Sequence, residues 1–288
     1  MFTPARDCRR IVCRGTLLTV LLSFCALVHG QQINWLTDVN QAKSLAIKSG
    51  KPILYDFTAS WCGPCKSMDK NFWPRADVIQ LSEQFVCVKV NYDKEKVLAS
   101  KYSITAIPNV VFTDPWGRGL LGHRGFGVGT EGEILDKIKF LPKDYSSLID
   151  AGNALELNEN NAESLLKFAS FYQDRQVFWL GNAFYDRLQK LESDPSKRES
   201  ILLNIAFNYL RLNEPDDAIQ QLQLLQKEFP RSVQYDLYLY GLVLANLSKD
   251  KPENAAQYAK EIKDKFPASK YASLAQERTG SLTVQRQP

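Results

Sequence analysis

Between residues 34 and 141 the spacing of apolar positions switches repeatedly between the alternation of strands and the three-to-four spacing of helices. Short apolar runs rich in valine, isoleucine and aromatic residues are typical of strands. Such runs occur at residues 53–57, 85–93, 109–114 and 119–126. We therefore predict four strands in this part of the chain.

Amphipathic stretches lie between and around these strands. Residues 39–46 and 96–104 have helical spacing, and residues 130–141 form an amphipathic stretch with Thr130 as a predicted N-cap. A further helix is predicted to begin within residues 61–66. Helices that alternate with central strands predict a three-layer α/β sandwich, in which helices flank both faces of a central mixed sheet.

The pattern changes after Pro142, where strand patterns stop and the remaining chain is helical. Three similar segment ends place prolines at 195, 230 and 267, which are 35 and 37 residues apart. Each copy has apolar or small residues at helical spacing. These positions are Leu165, Phe168, Ala169, Tyr172, Ala183 and Leu191 in the first copy, Leu202, Ile205, Ala206, Tyr209, Ala218, Leu222 and Leu225 in the second, and Gly241, Ala255, Ala259 and Ile262 in the third.

This period resembles the 34-residue helix pair of tetratricopeptide repeats. The resemblance implies three repeats, which is about the smallest array that buries its own faces, followed by a last helix near residues 269–279. A generic helical bundle is the alternative that the pattern leaves open.

These changes of pattern divide the chain into five segments. We expect a signal peptide at residues 1–30, an α/β domain at 31–142 and a polar linker or boundary region at 143–160. Helical repeats are expected at 161–280 and a disordered tail at 281–288.

The N-terminal segment has the order of a secretion signal, in which arginines precede the apolar run at residues 16–28 and small residues precede Gln31. Thirteen residues are fewer than the roughly 20 that span a bilayer. We therefore expect export to the periplasm or the exterior, with no stable membrane span after cleavage. An uncleaved signal that anchors the protein in the membrane is the alternative.

Charge changes this picture little. The net charge is +4, of which +3 lies in residues 1–30, so that +1 remains after cleavage. Apolar residues make up 44% of the chain and charged residues 24%, as in ordinary globular proteins. We expect no binding of nucleic acid, which requires a basic surface.

Three of the six cysteines would leave with the signal, so Cys62, Cys65 and Cys87 remain. A structural disulfide between Cys62 and Cys65 would close a very short loop and stabilise the fold little. A structural zinc site needs four ligands, and the mature chain lacks a second close pair of ligands, so no metal is expected. Cys87 alternates with apolar residues in a strand, which predicts a buried, unreactive thiol.

A redox function explains more of the segment around Cys62 and Cys65. Cys62 would lie at a helix N-terminus, where backbone N–H groups stabilise a solvent-reachable thiolate, and Cys65 would follow one turn later. Pro64 suits a first helical turn, and Gly63 keeps side chains away from a substrate. Lowering the pKa of a cysteine from about 8.5 to about 7 requires only about 2 kcal/mol.

The sequence WCGPCK at residues 61–66 resembles the active-site motif of thioredoxins, and YDFTASWCGPCK extends the match upstream. The resemblance covers roughly residues 34–141 and implies a thioredoxin fold followed by an all-α repeat domain. KPILYDF and the segment around Phe72 are most similar to exported thioredoxin-like domains such as the C-terminal domain of the disulfide reductase DsbD.

The family resemblance implies roles for individual residues. Cys62 would be the attacking cysteine and Cys65 the resolving one. Asp56 matches the buried aspartate that exchanges a proton with the resolving thiol, and burial should raise its pKa. Lys89 matches the lysine that pairs with this aspartate, although an exposed strand lysine is the alternative.

The substrate-binding residues follow from the same resemblance. Ile107 and Pro108 match a cis-proline loop that faces the cysteines, where the backbone of Ile107 would pair with an extended substrate. Trp61 would form one wall of the cleft, beside Gly63 and Pro64. Two departures, Thr58 in place of an aromatic residue and the stretch at 71–82, put the substrate preference in doubt.

The sequence therefore predicts an exported thiol–disulfide oxidoreductase that needs no cofactor beyond its Cys62–Cys65 disulfide. Reduction of protein disulfides is the expected direction, and an oxidase or an isomerase is the alternative. Its expected partners are protein dithiols or disulfides, a protein electron donor, and a protein held by the helical repeats. A scaffold or chaperone-like protein, in which the α/β domain is only a platform for the repeats, is the alternative.

Overall fold

The structure, a computed structural model, describes residues 32–285. The predicted signal peptide and residues 286–288 of the predicted tail lie outside these residues. Within the described range, no helix has both the length and the apolar character that crossing a bilayer requires.

A five-stranded mixed sheet forms the centre of the first part of the chain. Its spatial order is β1-β3-β2-β4-β5, with β1, β3 and β2 parallel and with β4 and β5 antiparallel to their neighbours. The four predicted strands are present, and the short edge strand β1 is an addition that the sequence did not predict. The strands are β1 (Trp35–Leu36), β2 (Ile53–Thr58), β3 (Val86–Asn91), β4 (Asn109–Thr113) and β5 (Gly119–Arg124).

Helices cover both faces of this sheet, as the sequence predicted for three layers. One face packs on alanines of α1 and α4, and the other packs on α2, α3 and α5. The helices are α1 (Val39–Ser49), α2 (Gly63–Asn71), α3 (Ala76–Ser82), α4 (Lys96–Lys101) and α5 (Thr130–Phe140). The sequence did not predict α3, because this short helix lacks a side-chain N-cap and is held by burial of Val78 and Ile79.

The second part of the chain is helical, and each helix from α7 onwards packs on the next. Prolines occupy the first helical position of α9, α10 and α12, where a missing N–H costs nothing. The helices are α6 (Ile149–Leu157), α7 (Ala162–Asp174), α8 (Phe178–Leu188), α9 (Pro195–Arg211), α10 (Pro215–Glu228), α11 (Tyr235–Ser248), α12 (Pro252–Lys265) and α13 (Lys270–Gln285).

The apolar and small positions predicted for the second and third copies are buried or partly buried in the structure. Two of the positions predicted for the first copy are exposed. In α8, Ala183 is exposed, and Leu191 lies beyond the helix and is 43% exposed. The buried positions of α8 are instead Gly181, Asn182, Phe184, Tyr185 and Leu188. The sequence placed the register wrongly because this copy ends without the Phe-Pro pair of the other two. In the third copy, a Cβ at Gly241 would lie 2.8 Å from Leu222 of the preceding repeat.

The predicted tail begins five residues too early. Helix α13 continues to Gln285, because no proline interrupts the backbone before Pro288 and Thr279 Oγ1 donates to the Ala275 carbonyl inside the helix.

Residues 143–160, predicted as a linker, are a structured junction. Helix α6 lies within this segment, and Tyr145, Leu148, Ala151 and Leu155 are buried in the same core as the sheet and the repeats. The sequence favoured a linker because the largely polar stretch 156–160 is exposed, whereas the apolar residues that hold the junction lie earlier in the segment. The two parts of the chain therefore share one hydrophobic core.

Trp116, in the turn between β4 and β5, is the centre of this junction. It is 4% exposed, packs edge-on against Phe168 with ring centroids 5.2 Å apart, and lies against Gly152 of α6. The guanidinium of Arg118 lies 4.2 Å from the Phe168 ring centroid. The sequence assigned Trp116 only to a turn, because its packing partners come from the repeats.

A buried carboxylate ties the same turn to the first repeat. Asp114 is fully buried, and its Oδ1 accepts hydrogen bonds from the backbone N–H groups of Trp116 and Arg118. The Tyr172 hydroxyl of α7 donates to Asp114 Oδ2 at 2.8 Å, and Arg118 Nε donates to the same oxygen. These hydrogen bonds offset the free-energy cost of burying the carboxylate of Asp114.

Strand register shows where the repeats attach. Ile53 pairs with Thr113 at one end of the β2/β4 ladder, and Phe57 pairs with Asn109 at the other. Asp114 follows Thr113, whereas Cys62 follows the opposite end of β2. The repeats therefore attach at the end of the sheet that is remote from the cysteines.

Two glycine substitutions test the junction. A Cβ at Gly152 would lie 2.0 Å from Trp116 Cζ2, whereas a Cβ at Gly132, in α5, meets no atom within 4 Å. We expect Gly152→Ala to lower the free energy of unfolding by about 1–3 kcal/mol through overpacking. The matched Gly132→Ala should raise it by about 0.5–1 kcal/mol, since alanine favours helix. Urea unfolding measures the free energy of unfolding of both variants. If both substitutions changed it by the same amount in the same direction, the close packing of Gly152 against Trp116 would be contradicted.

Candidate active site

Two cysteines lie at the start of α2, as the sequence predicted for a redox pair. Cys62 is the N-cap residue of α2, and Cys65 lies one turn inside the helix. The two form a disulfide with their Cα atoms 5.3 Å apart. The backbone N–H of Cys65 donates to Cys62 Sγ at 3.2 Å. This bond and the helix N-terminus would favour negative charge on that sulfur after reduction.

The disulfide is less open to solvent than the sequence analysis expected. Cys62 is only 3% exposed and Cys65 is 2% exposed. Ala59 and Ile107 pack against the pair. Cys62 is covered because the Ile107 side chain, which comes from a distant loop, lies on the same apolar cluster.

Exposed residues surround this buried pair. Trp61 is 64% exposed, and its indole N–H donates to Asp93 Oδ2 at 2.9 Å, which holds the ring beside the cysteines. Gly63 and Pro64 are exposed, and a Cβ at Gly63 would meet nothing within 4 Å. None of residues 32–285 therefore occupies the space next to the Gly63 Cα where a Cβ would lie.

The loop before β4 has the predicted conformation. The Ile107–Pro108 peptide bond is cis, as expected from the resemblance. The Pro108 carbonyl accepts a hydrogen bond from the Gly125 N–H at 2.8 Å, which ties this loop to the end of β5. Ile107 and Pro108 thus lie at the cysteine end of the sheet.

Asp56 and Lys89 form the ion pair that the sequence predicted. They are register partners on the parallel strands β2 and β3, and Lys89 Nζ lies 2.5 Å from Asp56 Oδ2. Asp56 is 2% exposed, and its burial raises the pKa of this carboxyl, while the charge of Lys89 acts in the opposite direction. Asp56 Oδ1 is buried and accepts no hydrogen bond from any residue in the described range 32–285.

Three residues of this site were missed by the sequence analysis. Trp73 Nε1 donates to Asp56 Oδ2 at 3.0 Å, Asp69 forms a second ion pair with Lys89, and the Trp35 ring lies 4.6 Å from Lys89 Nζ. Asp69 lies one turn after Cys65, which is the one local sequence signal available. Trp73 adjoins Phe72 in a segment that carried the family resemblance, but the resemblance assigned no role to either tryptophan.

A groove of about 390 Å³ opens beside this ion pair. Lys89 and Asp69 line it together with Lys66, Thr58 and Asn91. Lys89 therefore connects the buried carboxylate to the surface, since its side chain is 21% exposed and that of Asp69 is 46% exposed.

Cys87 does not join the redox pair. It is 4% exposed, its S–H donates to the Ser82 carbonyl at 3.7 Å, and burial raises its pKa to about 12. Its thiol is therefore unreactive at neutral pH. Among residues 32–285, no cluster of three or more His, Cys, Asp or Glu side chains is arranged to hold a metal ion.

Comparison with known proteins agrees with these features. A family model described as thioredoxin-like matches residues 34–115, and a tetratricopeptide repeat model matches residues 201–232. A thioredoxin of Mycoplasma genitalium is 33% identical over 103 residues, which cover 35% of this chain and 95% of that protein. A thioredoxin structure from Schistosoma mansoni is 29% identical and covers 39% of this chain and 97% of that one, with a TM-score of 0.31.

Other relatives are larger. A probable protein disulfide-isomerase A6 of Medicago sativa is 24% identical over 186 residues, which cover 64% of this chain and 50% of the isomerase. A chloroplastic M-type thioredoxin of Pisum sativum is 34% identical over 105 residues, covering 34% of this chain and 57% of the relative. The chain thus spans about half the length of the first of these proteins and 57% of the second.

The raised pKa of Asp56 predicts how the free energy of unfolding depends on pH. Ionisation of Asp56 costs more in the folded state than in the unfolded state, so its contribution to the free energy of unfolding falls as pH rises above the unfolded pKa near 3.8. We expect the stability of Asp56→Asn relative to the wild type to increase from pH 4 upward, until Asp56 is ionised in the folded state.

Urea unfolding of the oxidised proteins across a pH series measures this difference. Asp77→Asn is the matched control, because the pKa of the exposed Asp77 is lowered through its hydrogen bond to Arg75. Its stability relative to the wild type should decrease as pH rises. A pH-independent difference for Asp56→Asn would contradict the assigned direction of the pKa shift.

Proposed function

The chain belongs to the thioredoxin family, and we propose that it is an exported thiol–disulfide oxidoreductase that works as a protein-disulfide reductase. The observation that carries the proposal is the Cys62–Cys65 pair at the N-terminus of α2, packed against the cis Ile107–Pro108 loop. This geometry combines a stabilised sulfur with a neighbouring thiol one turn away.

The reaction proceeds by two thiol–disulfide exchanges. The Cys62 thiolate attacks a substrate disulfide, forms a mixed disulfide and releases one substrate thiolate, which takes up a proton. Cys65 then loses its proton to Asp56 and attacks Cys62 Sγ. The second substrate thiolate leaves, and the Cys62–Cys65 disulfide forms, so that the two electrons of the dithiol pass to the substrate.

Asp56 suits the role of proton acceptor in this second step. Its pKa is raised by burial, which moves it towards the pH range in which proton exchange with a thiol is efficient. Lys89 balances the charge when Asp56 is ionised, since the two side chains are in direct contact. No bound cofactor takes part in the proposed reaction.

An extended segment of the substrate would bind along the Ile107 backbone, with Trp61 as one wall and Gly63 and Pro64 as the open floor. The structure supports this because Trp61 is exposed and anchored by Asp93, and because the chain leaves the space above Gly63 free. The preferred substrate is a protein disulfide, since the rim offers an apolar indole and a backbone edge.

The reducing direction rests on the Gly63–Pro64 dipeptide, which resembles reducing members of the family. A protein electron donor would then restore the dithiol after each turnover. Export rests on residues 1–30, which carry the arginines and the apolar run of a signal peptide. The working site of the protein would be the periplasm or the exterior.

The repeats would hold a protein partner without covering the dithiol. They attach through Trp116, Asp114 and Tyr172 at the end of the sheet that is remote from Cys62. Because the two parts share one core, a partner held by the repeats would keep a fixed relation to the redox pair.

An insulin reduction assay with dithiothreitol tests the activity. We expect the wild type to accelerate insulin reduction and Cys62→Ser to abolish the acceleration, because the attacking thiol is lost and the remaining Cys65 is 2% exposed. Cys87→Ser is the matched control and should retain the wild-type rate, since the Cys87 thiol is buried. An inert wild type would contradict the proposal and favour the scaffold alternative.

The direction of electron flow is tested by equilibrating the pair in dithiothreitol or glutathione buffers. Potentials in this superfamily extend from about −270 mV for thioredoxin to about −120 mV for the oxidant DsbA. We expect a value near the thioredoxin end. A value near that of DsbA would reverse the proposed direction and leave the exchange chemistry unchanged.

A further inference from the structure

One oxygen of Asp56 carries all the hydrogen bonds that this carboxylate makes to Lys89 and Trp73. Trp73 Nε1 lies 3.0 Å from Oδ2, and Lys89 Nζ lies 2.5 Å from the same atom. The other oxygen, Oδ1, is buried, and no donor in the described part of the chain reaches it. A buried acceptor without a donor is costly, so this asymmetry calls for a functional explanation.

Two indoles enclose the ion pair. The rings of Trp35 and Trp73 meet edge to face with centroids 5.0 Å apart. Lys89 Nζ lies 4.6 Å from the Trp35 centroid and 5.7 Å from the Trp73 centroid, within the range of cation–π attraction. Asp69 binds the same ammonium group from α2. Lys89 is thus held by two ring faces and two carboxylates.

The helix that begins with the cysteines also places Trp73. Helix α2 ends at Asn71, and the backbone N–H of Trp73 donates to the Met68 carbonyl at 3.2 Å, so that the chain folds back onto the sheet. Trp73 is 4% exposed and packs on Phe72 with ring centroids 4.9 Å apart. The indole N–H and the two cysteines therefore belong to one rigid segment.

We propose that Trp73 is a positioning residue for Asp56, and that its indole N–H together with Lys89 occupies Oδ2 so that Oδ1 remains the oxygen that receives the Cys65 proton. This inference rests on the proposed oxidoreductase function. In the resolving step the proton moves from Cys65 Sγ to Asp56 Oδ1, the Cys65 thiolate attacks Cys62 Sγ, and the substrate leaves as a thiolate.

Groups on β3, on α2 and in the turn after α2 influence the ionisation of Asp56. Lys89 on β3 favours the carboxylate, Asp69 on α2 disfavours it, and the Trp73 N–H favours it through its hydrogen bond. Cys87, also on β3, remains neutral because its own pKa is raised to about 12. Loss of the indole N–H removes one stabiliser of the charged form, so Asp56 should hold its proton to higher pH.

The test uses the full chain with Trp73→Phe, which retains an aromatic ring and removes the N–H. The protonation of Asp56 is followed by its carboxyl infrared band, identified by its loss in Asp56→Asn. The pH dependence of the resolving step is followed in single-turnover insulin reduction. The infrared titration needs no activity, so a failure of the proposed function and a failure of this inference are distinguishable.

Trp116→Phe is the matched control, because Trp116 is also a buried tryptophan and its Nε1 has no hydrogen-bond partner. We expect Trp73→Phe to raise the midpoint of the infrared titration of Asp56 by about half a pH unit or more. The pH at which the rate of the resolving step reaches half of its maximum should rise by the same amount. Trp116→Phe should leave both midpoints at the wild-type value.

A merely structural Trp73 would lower the free energy of unfolding in Trp73→Phe without moving either midpoint, and that result would overturn the inference. If Trp73→Phe does not fold, site-specific replacement by 3-benzothienylalanine keeps the shape of the indole and removes the N–H. An unchanged Asp56 midpoint in that variant would overturn the inference as well.

Discussion

Burial of the central strand β2 on both faces is the constraint on which the structure depends. Its residues from Ile53 to Phe57 are all buried, and one of them, Asp56, is a carboxylic acid. A buried carboxylate requires a counter-charge and donors, and the neighbouring strand supplies Lys89 at the paired position. The same strand leads directly to the cysteines at the start of α2. Burial of one strand therefore sets the ion pair, the raised pKa and the position of the dithiol together.

A second buried carboxylate, Asp114, has a different consequence at the opposite end of the sheet. Its donors come from its own turn and from Tyr172 of the first repeat, so both carboxylate oxygens of Asp114 accept hydrogen bonds. Asp114 therefore stabilises the junction between the α/β part and the helices, whereas Oδ1 of Asp56 accepts no hydrogen bond from residues 32–285. The two carboxylates thus differ in how many donors surround them, and in our proposal Asp56 is the one that exchanges a proton.

Much of the fold could be predicted from sequence because its patterns are local. The alternation at residues 85–93 and the apolar run at 53–57 define strands whatever surrounds them, and the Cys-Gly-Pro-Cys segment defines a helix start. The roles of Lys89 and Pro108 came from the family resemblance, and the structure places both residues accordingly. The first repeat was harder, because it ends in Asp-Pro rather than in the Phe-Pro pair that closes the other two copies, and its small residue Ala183 is exposed while Gly181 is buried.

What the sequence alone determined is therefore four of the five strands, most of the helices and the cysteine pair, since each is encoded by residues close together, while the pairing of Asp56 with Lys89 followed from the family resemblance. Only the tertiary structure decided that residues 143–160 are a packed junction, that Trp116 is its centre, and that Trp73 donates to Asp56. The physical reason is that these residues are apolar or aromatic without a periodic neighbourhood. Their role depends on which distant side chains they meet, and that information exists only once the chain has folded.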